Sequence, residues 1–221
     1  MSLSVFNGLV HMSCRGLMYW RKKGCYGIVF SRLHILDLSS RKQEKHMKKT
    51  ISLWQFAGFA FTSFAGTLLH FLYDWTDQSI FTAPFSAVNE STWEHMKLLF
   101  FPMMIFALIE SFFLKKKIPS FWCVKWIGIS VGLILIPVLF YTYNGAFGPS
   151  PDFVNISIFF ISAAVSYWSE NKLLQNEAFP CRDSLIPLSL LLLYAILFVV
   201  FTFQTPEIPL FQDPVTLLYG I

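Results

Sequence analysis

Residues 51–73 read ISLWQFAGFAFTSFAGTLLHFLY. The run contains no Asp, Glu, Lys or Arg. A helix needs about 20 predominantly apolar residues to cross the hydrocarbon core of a bilayer, and this run supplies them. Lys48 and Lys49 stand directly before it and Asp74 directly after it. The stretch therefore predicts a transmembrane helix with a basic start and an acidic end.

The rest of the chain repeats the pattern. Of 221 residues, 55% are hydrophobic and 14% charged, and the mean hydropathy is +0.54. Soluble domains are roughly a quarter charged. Further apolar runs lie at 96–114, 121–141, 153–168 and 185–203. The run at 153–168 is short and carries Asn155 and Ser157. No segment alternates in the manner of barrel strands. The expected fold is all-α: a polytopic transmembrane helical bundle of about five spans.

Basic residues set its orientation. Ten of the 17 Lys and Arg precede the first run. The 74–95 connection has none but holds Asp74, Asp77, Glu90 and Glu94. Lys115, Lys116, Lys117 and Lys125 surround the next connection, 142–152 has none, Lys172 and Arg182 follow, and the tail after Phe203 has none. Cytoplasmic loops of membrane proteins carry the excess of Lys and Arg. The alternation places the N-terminus inside and the C-terminus outside, with Lys97 the one exception. The net charge of +4 sits in short blocks between apolar runs, which suits orientation in a lipid bilayer and argues against nucleic acid as a partner. The cysteines, Cys14, Cys25, Cys123 and Cys181, show no metal-ligand spacing and are expected as unpaired thiols. Cys123 and Cys181 fall on the inner, reducing side.

Residues 1–46 are a basic N-terminal extension without a clean span or cleavage site. Two readings stand. Met47-Lys48-Lys49-Thr50 resembles a bacterial membrane-protein start, and Gln43-Glu44 can be encoded by CAGGAG, which contains a ribosome-binding core. On that reading 1–46 is translated leader and 47–221 is a single transmembrane helical domain. A codon choice lacking the AGGAG core would count against it. The other reading is a disordered basic cytoplasmic arm.

Within the first span Gly58, Thr62, Gly66, His70 and Asp74 recur every four residues and share one helix face. Its inner turns are small, which suits close helix packing. Its outer end is ionisable, and such groups at that depth usually face protein or water. A His and an Asp four apart can bind a metal or share a proton, or simply form a buried hydrogen-bonded pair.

The chemistry gathers in FSAVNESTWEHMKLLFFP at 85–102. Ser91-Thr92-Trp93-Glu94 fits a capping box before an apolar run, and Trp93 suits the interfacial aromatic belt. Asn89, Glu90, His95 and Lys97 are left over. A helix beginning near Ser86 would instead put Glu90, Glu94 and Lys97 on one face. Spans one and two form an antiparallel pair joined outside, so His70 and Asp74 are expected to meet Glu90, Glu94 and His95. Those five are the candidate ligands for a divalent metal such as zinc. Glu90, Glu94, His95 and Lys97 are the candidates for acid–base catalysis, since clustered carboxylates push their pKa values apart.

HFLYDW at 70–75, FSAVNESTWEHMKLLFFPM at 85–103 and PLFQDPVTLLYGI at 209–221 resemble the recurring blocks of a family of uncharacterised multi-spanning membrane proteins of Gram-positive bacteria. The resemblance covers about 48–221. It implies an integral membrane protein without an established activity, with Asn89, Glu90, Glu94, His95 and Lys97 belonging to the family's pattern. A fainter likeness points to membrane-embedded metal hydrolases of the ceramidase and progestin-receptor type. Those have seven helices and a later His pair, whereas this chain has no His after His95.

Elsewhere, Glu110 either snorkels toward Lys115, Lys116 and Lys117 or forms a buried proton or ion site. Gly128 and Gly132 make a helix-contact face. The mixed tail after Phe203 is expected to fold back over the outer face, with Asp213 in reach of the cluster. No P-loop, G-x-G-x-x-G, G-x-S-x-G or HExxH is present. Three function classes follow: a membrane protein whose cluster is a polar knot or partner surface, a membrane-embedded and metal-dependent hydrolase, and a carrier for a small solute, proton or metal.

Overall fold

The computed structural model describes residues 5–6, 9–10, 22–176, 179–181 and 183–221, with side chains at 38, 39 and from 41 onward within those ranges. It divides into two units, Met1–Met47 and Lys48–Ile221. In the first, Val5–Phe6 pairs antiparallel with Leu9–Val10, and the part of the basic extension from Lys22 on is helical.

The helices are α1 (Lys22–Trp75), α2 (Thr92–Leu114), α3 (Phe121–Phe147), α4 (Asp152–Leu174) and α5 (Leu185–Phe203), followed by the single 3₁₀ turn Pro209–Phe211. Four are long and apolar enough to cross a membrane: α1 over Arg41–Trp75, α2, α3 and α5. The expected fourth run forms α4, a helix as long as α2 at 23 residues. Asn155, Ser162, Ser166, Glu170 and Lys172 keep its hydropathy below that of the others.

Local chemistry sets the ends. Ser91 caps α2, its hydroxyl accepting from the Glu94 amide at 3.4 Å. The helix therefore starts at Thr92, and the alternative start near Ser86 is not found: Glu90 lies in the preceding loop. The second half of the capping box is also absent, because the Glu94 carboxylate accepts from the Val88 amide at 3.0 Å. α3 runs six residues beyond the expected 141 and stops where Gly148 takes φ +89°, a conformation that favours glycine.

The bundle turns large apolar side chains outward and holds charged ones inside, within an otherwise largely apolar core. Phe56, Phe112 and Ile134 expose 69%, 83% and 63% of their surface, whereas Glu110, Lys97 and Lys125 expose 0%, 0% and 1%. A water-soluble fold inverts that arrangement, while helices in lipid turn apolar side chains outward and use small and polar residues at their contacts. Gly58 and Gly66 of α1 do so. A Cβ at Gly58 would lie 2.4 Å from the Tyr167 ring, and one at Gly66 would lie 2.8 Å from the Leu98 carbonyl. Gly128 and Gly132 of α3 admit Glu170 and Ser166 of α4 in the same way.

One expectation is overturned. Cys123, in the first turn of α3, and Cys181, before α5, form a disulfide with Cα atoms 6.2 Å apart. Their separation of 58 residues carries no spacing signal, so only the packing of the bundle brings them together. The pairing also runs against a reducing environment at that end of the helices.

Candidate metal centre

The 76–91 connection folds back on the ends of α1 and α2. Buried Ser86 inserts its hydroxyl into the last turns of α1, donating to the Leu69 carbonyl at 2.5 Å and accepting from the Tyr73 amide at 2.9 Å. These two backbone groups would otherwise pair with each other in the helical ladder. Thr76 and Thr82 join their hydroxyls at 2.8 Å. Asn89 turns the last corner: its carbonyl accepts from the Ser91 amide at 2.9 Å and its amide donates to the Gly220 carbonyl at 3.0 Å. Glu90 is thereby carried between two helix ends.

There it meets two imidazoles. His70 Nε2 stands 3.7 Å from Glu90 Oε1, and His95 Nε2 stands 3.5 Å from Glu90 Oε2. The two rings are 5.6 Å apart between centroids. One ligand atom from each of His70, Glu90 and His95 lies within 4.8 Å of the others. His95 places Nδ1 3.0 Å from the Ser91 carbonyl. That carbonyl can only accept, so Nδ1 carries a proton, and in the neutral ring the Nε2 lone pair is left facing Glu90. His70 Nδ1 is buried without a partner. All three side chains are partly open, at 31%, 49% and 20% exposure for His70, Glu90 and His95. A crevice beside them is walled by Ile136, Phe140, Ile158 and Phe159, with Thr92 and Asn155 as further polar lining.

The other expected members stand elsewhere. Asp74 is exposed, and among the described residues no hydrogen bond or ion pair joins it to His70. Glu94 and Lys97 are buried on a different side of α2 and pair with each other at 2.5 Å. The Lys97 ammonium also donates to the Ala83 carbonyl and the Thr202 hydroxyl, both at 2.9 Å. All three of its donors are engaged, so it has none left for a substrate. The tail does return to α2, with the Phe211 ring 4.7 Å from that of Trp93. Asp213, however, turns its carboxylate to the Val215 and Thr216 amides of the tail itself.

A second polar group contains Glu110, one of whose two expected readings is a buried proton or ion site, but its partners were not foreseen. Glu110 pairs with Lys125 of α3, not with Lys115, Lys116 or Lys117, and Lys125 also pairs with Glu170 of α4. The available signal was Lys125 itself, a lone cation in the apolar run that opens α3.

The helices form an all-α bundle, four of them long and apolar enough to cross a membrane, which is compatible with a membrane protein. The chain belongs to DUF6512, a family of unknown function, whose model matches residues 42–221. No curated protein and no solved structure matches the chain.

Proposed function

We propose that the protein is a multi-pass protein of the cell membrane whose outer end carries a divalent-metal site made by His70, Glu90 and His95. The supporting observation is a pair of distances. Charge-assisted hydrogen bonds run about 2.7–2.9 Å, and the two imidazole–carboxylate separations, 3.5 and 3.7 Å, are longer. Ligand atoms around a tetrahedral ion with bonds near 2.0–2.1 Å stand roughly 3.3 Å apart, so these separations suit an ion between the groups. Two imidazole nitrogens and a carboxylate favour zinc among common divalent metals. On this reading α4 is the fifth span and the bilayer is the partner; the distribution of Lys and Arg favours an inner N-terminus and an outer C-terminus, an orientation that the Cys123–Cys181 bond opposes.

A second reading, metal-assisted hydrolysis, is favoured by the number of ligands. A three-ligand set leaves a coordination position open, as catalytic zinc sites do, and the crevice beside it has room for little more than a water. The experiment is elemental analysis of the full chain purified in detergent. Stoichiometric zinc is expected, lost in His70→Ala and His95→Ala and retained in Asp74→Ala. Metal-free wild-type protein whose melting temperature ignores added zinc would sink the proposal.

A further inference from the structure

Three helices each bring one charged side chain to a common point inside the bundle, away from His70. Lys125 of α3 sets its ammonium between Oε2 of Glu110 on α2 and Oε2 of Glu170 on α4, the latter 2.5 Å away. Gln55 of α1 donates Nε2 to Glu110 Oε1 at 2.7 Å. Tyr167 of α4 faces the same group, its ring 5.7 Å from the ammonium and its hydroxyl 2.8 Å from that of Thr62 on α1. Phe121 of α3 covers the ammonium from 5.5 Å. The side chains of Glu110, Lys125 and Glu170 are sealed, at 0%, 2% and 0% exposure.

Their charges do not balance. Two carboxylates share one ammonium, and the described ion pairs of both run to Lys125. An excess negative charge among helices of this kind is costly, and buried carboxyls at close range relieve it by holding a proton. A second observation lies along α4. Ser162, Ser166 and Glu170 follow one another at helical spacing, and both hydroxyls and Glu170 Oε1 are buried without a hydrogen-bond partner. Gly128 and Gly132 make room for them: a Cβ at either would lie 2.2 Å from Glu170 Cγ or Ser166 Oγ respectively. Further along the same face, Phe159 and Asn155 line the crevice beside His95. Unpartnered oxygens therefore follow one another from Ser162 to Glu170, on the face whose earlier residues Asn155 and Phe159 line the crevice.

We propose that Glu110, Lys125 and Glu170 form a proton-binding site, loaded with one exchangeable proton at neutral pH and reached along Ser162 and Ser166. Loading forms a single O–H bond on a carboxylate oxygen. The proton comes from hydronium at the crevice and returns to water on release, and no other bond changes. This inference stands independently of the metal site.

Infrared spectroscopy of the full chain in liposomes tests it. The carbonyl stretch of a protonated carboxylic acid is expected at neutral pH and shifts on transfer to deuterated water. It disappears in Glu110→Gln and in Glu170→Gln, since each leaves one carboxylate facing one ammonium, and it persists in Glu94→Gln. Lys125→Met raises its intensity about twofold, because both carboxyls then take up protons. Ser166→Ala slows the deuterium shift. A wild-type spectrum without the band overturns the proposal whether or not any variant folds. So does a band that survives both glutamine substitutions or does not exchange. A missing band together with stabilisation by sodium or potassium assigns the oxygens to a metal cation instead.

Discussion

Lys97 and Glu94, one turn apart on α2, form an ion pair closed to solvent, and Lys97 carries that pair to the Ala83 carbonyl and the Thr202 hydroxyl. Three separate parts of the chain meet at this ammonium: the 76–91 connection, α2 and the end of α5. Removing one partner of a buried pair leaves the other charge uncompensated and costs about 3–5 kcal/mol. Lys97→Met should therefore lower thermal stability sharply, and Lys97→Met/Glu94→Leu should recover part of the loss. Melting curves of the detergent-purified variants check this; a loss in the double variant equal to the sum of the Lys97→Met and Glu94→Leu losses would show that the pair is not coupled.

The metal reading predicts a separable effect at the neighbouring group. Chelation should lower the melting temperature of the wild type, and zinc should restore it. At free zinc a hundredfold above Kd the stabilisation is about 2.7 kcal/mol. His70→Ala, Glu90→Gln and His95→Ala should each abolish most of that response, while Asp74→Ala leaves it intact.

Ser86 should act on the same site from a distance. Ser86→Ala removes the hydroxyl that inserts between Leu69 and Tyr73, allowing those backbone groups to re-pair. The direct loss is about 1 kcal/mol. The loop that carries Glu90 loses an anchor, so zinc affinity should fall as well. Unchanged affinity by titration would mean that Glu90 is positioned without Ser86.

Glycines along the α3–α4 contact give a steric test. A methyl group at Gly128 or Gly132 meets Glu170 or Ser166 at 2.2 Å, and overpacking of that kind costs about 1–3 kcal/mol. Gly145, also in α3, has nothing within 4 Å of its Cβ position. Gly145→Ala should be neutral or stabilise by up to about 1 kcal/mol. Similar effects at all three positions would contradict the close approach of the two helices.

The Cys123–Cys181 bond makes a prediction about sidedness. Alkylation of whole membranes before reduction should leave both thiols unlabelled, and proteolysis should release their peptides joined. Free, alkylated Cys123 and Cys181 would put that end of α3 on the reducing side, as the distribution of Lys and Arg expects.

Helix positions were legible in the sequence because membrane-type helices are long, local and nearly free of charge. The runs at 51–73 and 185–203 show this, the second coinciding with the whole of α5. Ser91 as the cap of α2 was legible for a similar reason, since capping involves residues three apart. Glu90 and His95 could be named as chemistry-bearing residues, and His70 with them, from their unusual placement at the ends of apolar runs. Which of them meet could not be read. Glu90 and Glu94 look equivalent in sequence, yet the start of α2 at Thr92 leaves one in a loop beside His70 and turns the other inward to Lys97. Glu110, Lys125 and Glu170 lie on three helices, and Cys123 and Cys181 are 58 residues apart. Such partners are decided by how helices rotate and pack against each other. Hydrophobic patterning fixes where a helix lies in the chain but only loosely which neighbour each of its polar residues will face.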